Sequence, residues 1–248
     1  MGVRTNIAKA SNATMIGRTC ESQVKREGLF STVTDAKLTP ISDNKLKVEI
    51  LYAKRQPFPT ILVIIPNMSP FYTRSGDDGK TGLLGEGRLP KYHPRIETLG
   101  NLDEASAFLG LARALSKAPQ TGPILVDVQR DLYAVMAEVA STQANVEKFR
   151  TMDLPRLKWL ESQTDTIAVL APAPAEFILP GDSLAGAALS VSRTIVRRAE
   201  RRLAELVDKG ELDNPVLVQY LNRLSSLCFA LELLENQQAG NPTILAKK

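Results

Sequence analysis

From about Asp103 onward, apolar residues recur at three- and four-residue intervals with polar residues between them, the spacing of helices that bury one stripe. This pattern predicts five helices: about Asp103–Ser116, Gly122–Ser141, Leu154–Val169, Ser183–Lys209, and a last one that follows Asp213-Asn214-Pro215 and ends near Asn236. Pro155 suits a first helical turn and Gly210 suits a terminator. The connections are short, so neighbouring helices are expected to pack antiparallel. The expected fold class is all-α, an up-down five-helix bundle.

Residues 1–70 carry no sustained period and close on Pro57-Phe58-Pro59 and a short apolar run, Thr60–Ile65. They are expected to form an irregular, dispensable extension, with the bundle domain over 71–248. Residues 72–100 are glycine-rich and read as loop.

Composition agrees with packed helices: 44% of residues are hydrophobic and only 5% aromatic. The net charge of +4 would suggest nucleic acid, but its distribution removes that suggestion. Residues 1–70 hold 10 Lys and Arg against 5 Asp and Glu, whereas residues 71–248 hold 21 against 22. The bundle is near neutral and lacks aromatic stacking platforms, so neither nucleic acid nor a membrane is an expected partner. No apolar run approaches the roughly 20 residues that span a bilayer. Cys20 and Cys228 are too few and too far apart for a disulfide framework or metal site, and Cys228 reads as a core residue. The first twenty residues hold Arg4, Lys9 and Arg18 and no acid, a weak likeness to a transit peptide. Met68 is an alternative start. The expected location is the cytoplasm, or the mitochondrial matrix if the extension directs import.

The fourth helix carries the most distinctive pattern. At about 100° per residue, Arg193, Arg197, Glu200 and Arg201 share one stripe, opposite Ile195, Ala199, Leu203 and Leu206. Arg198, Arg202 and Glu205 form a third face. Guanidinium forks at successive turns, ~6 Å apart, match the oxygen spacing of a polyphosphate, although the run taken alone reads as a salt-bridged surface helix.

A second candidate is the loop Thr73–Gly85, in which Gly76, Gly79, Gly82 and Gly85 free backbone amides beside Thr73, Ser75, Thr81 and Lys80. Gly79-Lys80-Thr81 looks like the end of a Walker A loop, but Arg74 stands where its first glycine belongs. Such a loop can still wrap phosphates, and taken alone it reads equally as a flexible surface turn. The single histidine, His93, has no Cys or carboxylate cluster near it in sequence and reads as a loop residue. With no triad or metal motif, a catalysed reaction here must draw its nucleophile from outside the polypeptide.

Three groups of motifs then stand in order. The first is Tyr72–Gly79, followed by His93-Pro94-Arg95 and Gly100–Glu104. The others are Phe177-Ile178-Leu179-Pro180-Gly181 with Arg193–Arg201, and Tyr220–Ser225. Together they resemble the motifs of PduO-type ATP:cob(I)alamin adenosyltransferases over roughly residues 70–238. The resemblance implies the helical bundle of that family, assembled as a homotrimer with ATP and corrinoid bound between subunits. It implies transfer of the 5′-deoxyadenosyl group of ATP to Co(I) of cobalamin (or cob(I)yrinate diamide), with release of triphosphate. Mg2+ would accompany ATP, and cobalamin would bind base-off. A cobalamin reductase and an adenosylcobalamin-dependent enzyme are the protein partners it suggests.

Residue by residue, the resemblance places Thr73, Arg74, Ser75, Gly76, Thr81, Gly82, Lys91, Arg197, Arg198, Glu200, Arg201 and Asn222 around ATP. Arg193 would pair with Asp103 of a neighbouring subunit, and Phe177 would press on the lower corrin face and exclude the axial base. Phe229, seven residues after Asn222, would be a second corrin-pocket aromatic or else a peripheral packing residue. Asp182, Ser190 and Ser226 depart from the family pattern, where glycine, histidine and aspartate are usual. The alternative reading is a nonenzymatic ATP or cobalamin carrier, which would have no need to keep Asp103, Arg193 and Phe177 together.

Overall fold

Pro94 occupies the first turn of a helix that His93 caps, its Nδ1 accepting the Arg95 N–H at 3.2 Å. The computed structural model describes residues 35–41, 45–51 and 63–66 as backbone, and residues 71–241 and 243–247 in full. It divides into two units, Met1–Arg74 and Ser75–Lys248.

The first unit contains a three-stranded antiparallel sheet of β1 (Asp35–Ile41), β2 (Lys45–Leu51) and β3 (Val63–Pro66), in the order β1-β2-β3. The register aligns Leu38, Val48 and Val63 in one row, and Pro40, Leu46 and Ile65 in another. The irregular extension expected for residues 1–70 is therefore corrected over these strands. Lys45-Leu46-Lys47-Val48-Glu49-Ile50 alternates polar and apolar residues, the strand period, in a run too short to stand out beside the helices. The transit-peptide likeness of the first twenty residues lies outside the described residues.

The second unit opens on a hairpin, β4 (Lys80–Gly82) with β5 (Arg88–Pro90), and continues as helices. These are α1 (Pro94–Leu115), α2 (Thr121–Ala140), the single turn α3 (Val146–Phe149), α4 (Leu154–Leu170), α5 (Leu184–Asp208) and α6 (Val216–Gln238). The five long helices are those the periodicity predicts. The largest boundary error is at α1, which starts nine residues before Asp103. Asp103 thus lies in mid-helix, and His93 is a cap where a loop residue was expected. The loop expected to run to about Gly100 gives way to helix from Pro94, which the sequence hides because Gly100 and Asn101 weaken the helical pattern there.

α5 packs between α1 and α6, α2 lies against α1, and α4 against α6. Leucines fill the shared interior, among them Leu102, Leu109, Leu132, Leu160, Leu203, Leu221 and Leu231, all fully buried. Truncating any one of them would cost about 2–5 kcal/mol. Cys228 is buried in the same core, and burial pushes its thiol pKa up to about 12.

Polar struts cross this core and fix its register. Arg156 Nε meets both carboxylate oxygens of Asp131 at 2.7 Å, and the buried Tyr220 hydroxyl donates to Asp131 Oδ2 at 2.5 Å. Asp131 on α2 therefore joins α4 to α6. Glu235 accepts the N–H groups of Lys117 (2.9 Å) and Ala118 (3.2 Å), tying the end of α6 to the α1–α2 turn.

Candidate active site

The glycine-rich loop owes its shape to one residue that sequence reasoning passed over. Arg88 on β5 donates to both oxygens of Asp78 at 2.8 Å and to the Lys80 carbonyl at 3.0 Å, and it also reaches the Ser75 carbonyl. Asp78 accepts the Lys80 N–H at 3.1 Å, and the Arg88 bond holds its carboxyl below the usual range. Gly79 sits at φ +79°, a left-handed turn where a side chain would be strained, and its carbonyl accepts the Lys91 N–H at 2.9 Å. A Cβ built on Gly76 would lie 3.1 Å from Lys91 Nζ, so glycine there lets the ammonium fold over the loop. The only sequence signal for Arg88 is a basic residue at the far side of the turn.

Lys80 and Lys91 consequently flank an open cavity of about 550 Å3, lined also by Asp78, Gly79, Pro90, Tyr92 and Glu97. Thr81 and Gly82 lie on β4 beside it, with Thr81 opposite Leu89. Thr73 and Arg74 group with the first unit. Arg74 adopts φ +61° and stacks its guanidinium 5.3 Å over the Tyr72 ring. That backbone conformation is rare for a residue with a side chain and marks a locally constrained turn.

On α5 the charged residues separate by partner, and the predicted third face is divided. Arg197 and Arg201 are exposed, and Arg201 Nη1 donates to the Arg197 carbonyl at 3.0 Å. Glu200 turns toward α6 and accepts from Asn222 Nδ2 at 2.9 Å, and Asn222 Oδ1 in turn accepts from Arg223 at 2.7 Å. Arg198 turns the other way: its Nε donates to Asn101 Oδ1 at 2.7 Å and it pairs with Glu104, both on α1. Arg198 is thus parted from Arg202, which pairs with Glu205 at 3.2 Å.

Four assigned residues stand apart from these groups within one chain. Asp103 is exposed on α1, and among the described residues no ion pair joins it to Arg193. Arg193 is half-buried, with its Nε buried and unpartnered. Its positive charge acts on buried Glu232, whose carboxyl is nonetheless raised, chiefly by burial. Phe177 is 88% exposed on the α4–α5 loop, and Phe229 packs partly buried against the core.

The sequence pattern of the cobalamin adenosyltransferases matches residues 71–235, from the start of the glycine-rich loop nearly to the end of α6. The chain belongs to this family. A corrinoid adenosyltransferase PduO of Citrobacter freundii is 39% identical over 177 residues, 71% of this chain and 52% of that protein. The chain thus spans about half the length of that relative. A corrinoid adenosyltransferase of Bacillus subtilis is 38% identical over 173 residues, 68% of this chain and 88% of its own length.

The solved structures include family members with ligands in place. A variant PduO-type ATP:corrinoid adenosyltransferase from Lactobacillus reuteri, complexed with cobalamin and ATP, superposes with a TM-score of 0.65 at 31% identity. That match covers 71% of this chain and 96% of the other. Family membership accounts for the helical unit, while the β1–β3 unit and residues beyond 235 lie outside the matched pattern.

Proposed function

We propose that this chain transfers the 5′-deoxyadenosyl group of ATP to the Co(I) of cobalamin or a related corrinoid. The observation that carries the reading is the coincidence of the family pattern over residues 71–235 with a basic loop and an exposed arginine stripe. The reaction balances without a protein base. The Co(I) electron pair attacks C5′ of ATP, the C5′–O bond breaks, and that bond's electrons leave with triphosphate. What the protein must supply is alignment of cobalt with C5′ and stabilisation of the charge on the departing triphosphate. Lys80, Lys91, Arg197 and Arg201 are suited to that charge, while the tie between Glu200 and Asn222 holds α5 and α6 in register beneath it.

Magnesium fits this site only as a companion of the phosphates. Among the described residues there is no group of three His, Cys, Asp or Glu placed to hold a metal. Mg2+ commonly keeps most of its waters and binds through substrate phosphates and one or two carboxylates, a mode open to this loop.

The active assembly on this reading is a homotrimer with sites between subunits. Asp103 is exposed and has no ion-pair partner among the described residues, and the half-buried Arg193 has an unpartnered Nε, which is consistent with a pair completed by a second subunit. Phe177, exposed on its loop, is free to press against the corrin and exclude the axial base. A cobalamin reductase would supply Co(I), and an adenosylcobalamin-dependent enzyme would take the product. The site of action is the cytoplasm, or the mitochondrial matrix if residues 1–70 direct import.

The test is anaerobic incubation of the protein with ATP and cob(I)alamin, following the cobalt–carbon bond by its absorbance and triphosphate by chromatography. Stoichiometric appearance of both supports the enzyme. Tight binding of ATP and cobalamin without either product would leave the carrier reading instead.

A further inference from the structure

Beyond α6 the chain turns back and lies along the α4–α5 loop as a strap. Asn241 donates to the Asp182 carbonyl, and the Ile244 N–H donates to Asp182 Oδ2 at 3.1 Å. Leu179 N–H then donates to the Ile244 carbonyl at 2.8 Å, and Ala246 N–H to the Phe177 carbonyl at 2.7 Å. Between these two bonds Ile178 faces Leu245 in an antiparallel bridge.

This pairing imposes a strand's alternation on three consecutive residues. Ile178 points inward and packs on the core, so Phe177 and Leu179 must point out, and both are exposed. A phenyl ring turned away from the core and held by main-chain bonds on its own loop contributes little to stability. Its direction is what the pairing sets.

Asp182 is itself held rigidly. Gly181 before it takes φ +126°, a conformation that favours glycine, and Ser183 after it caps α5 by accepting the Gly186 N–H at 2.9 Å. The Ser183 hydroxyl also donates to Asn236 Oδ1 on α6 at 2.7 Å, where a Cβ on Gly186 would come within 2.1 Å of the same oxygen. Asp182 therefore stands next to a tight contact between the start of α5 and the end of α6.

We propose that Asp182 is a positioning residue. By clamping the strap Thr243–Lys247 against residues 177–179, it fixes the Phe177 ring in the direction from which it contacts the corrin. This rests on the adenosyltransferase reading of Phe177. It assigns a role to a carboxylate that departs from the glycine usual at this position, and to a segment beyond the family pattern, which ends at residue 235.

The experiment compares full-length wild type with Asp182→Ala and Asp182→Asn, the latter keeping an oxygen acceptor. Three quantities are read: hydrogen exchange at the Leu179 and Ala246 amides, the EPR splitting from the axial nitrogen of bound cob(II)alamin, and kcat with KM for each substrate. In Asp182→Ala the two amides should exchange about tenfold faster, the nitrogen splitting should return, and kcat should fall about tenfold. KM for ATP should stay within about twofold, and Asp182→Asn should restore most of each loss. Faster amide exchange with unchanged EPR and kcat would overturn the positioning role, as would an equal rise in KM for ATP. If wild type itself shows no base-off cobalt and no transfer, the adenosyltransferase reading fails and the inference falls with it. That outcome is recognised from wild type alone.

Discussion

Asn222 on α6 donates its side-chain amide to Glu200 on α5 at 2.9 Å, one turn along from Arg197. A carboxylate among arginines is thereby drawn toward the neighbouring helix, which leaves the exposed guanidinium groups of Arg197 and Arg201 facing outward. Asn222→Ala should release Glu200 to pair with those arginines and compete with phosphate. We expect KM for ATP to rise several-fold, with a stability loss of about 0.5–1.5 kcal/mol, the worth of one hydrogen bond. Substrate kinetics and urea denaturation of the same variant check both.

The faces of α5 predict unequal arginines. Arg197→Ala should weaken ATP binding by about 1.5–3 kcal/mol, a charge-assisted bond to an ionised partner. Arg202→Ala, which loses only an exposed pair with Glu205, should shift ATP affinity by less than about 1 kcal/mol. Isothermal titration with a nonhydrolysable ATP analogue measures both. Equal losses would show that the stripe has been assigned to the wrong face.

Asp103 and Arg193 should be coupled across the trimer although no ion pair joins them among the described residues of one chain. Asp103→Asn and Arg193→Ala should each slow transfer, with ATP affinity less affected. The double variant should be no worse than the poorer single one, a coupling on the order of 1–3 kcal/mol. Strictly additive losses in transfer rate would mean that the two side chains do not meet.

Tyr220 predicts a limit to stability at high pH. Its hydroxyl is raised well above the ordinary value of 10.0, first by burial and then by the charge of Asp131. The native state therefore holds this proton at a pH where the unfolded chain gives it up. The associated stability is fully present below pH ~10 and declines as pH rises beyond it. Tyr220→Phe should flatten that decline while costing about 1–3 kcal/mol at neutral pH, because a buried oxygen of Asp131 loses a donor. Urea midpoints from pH 7 to 11 test the sign.

A chain beginning at Met68 should fold, trimerise and keep its transfer activity. The division between units falls at Arg74, so this truncation keeps Thr73 and Arg74 while removing the strands β1–β3. Sedimentation and turnover of the shortened chain decide the matter. Loss of the trimer would make the sheet part of the assembly.

The sequence alone determined the five long helices, because each has to bury an apolar stripe and the 3.6-residue period leaves its trace in residue order. It also determined the arginine stripe, since Arg193, Arg197 and Arg201 share a face in any helix that contains them. The start of α1 was hidden because a histidine cap and a proline first turn are local geometry that no periodicity announces. Partners across the fold were hidden too. Arg198 bonds to Asn101 97 residues away, Arg88 organises a loop from the opposite strand, and Asp182 reaches a tail 62 residues downstream. Side-chain type and helical phase are properties of neighbouring residues and can be read along the chain. Which donor meets which acceptor depends on how α1, α5, α6 and the tail are packed, and only the tertiary structure decides that.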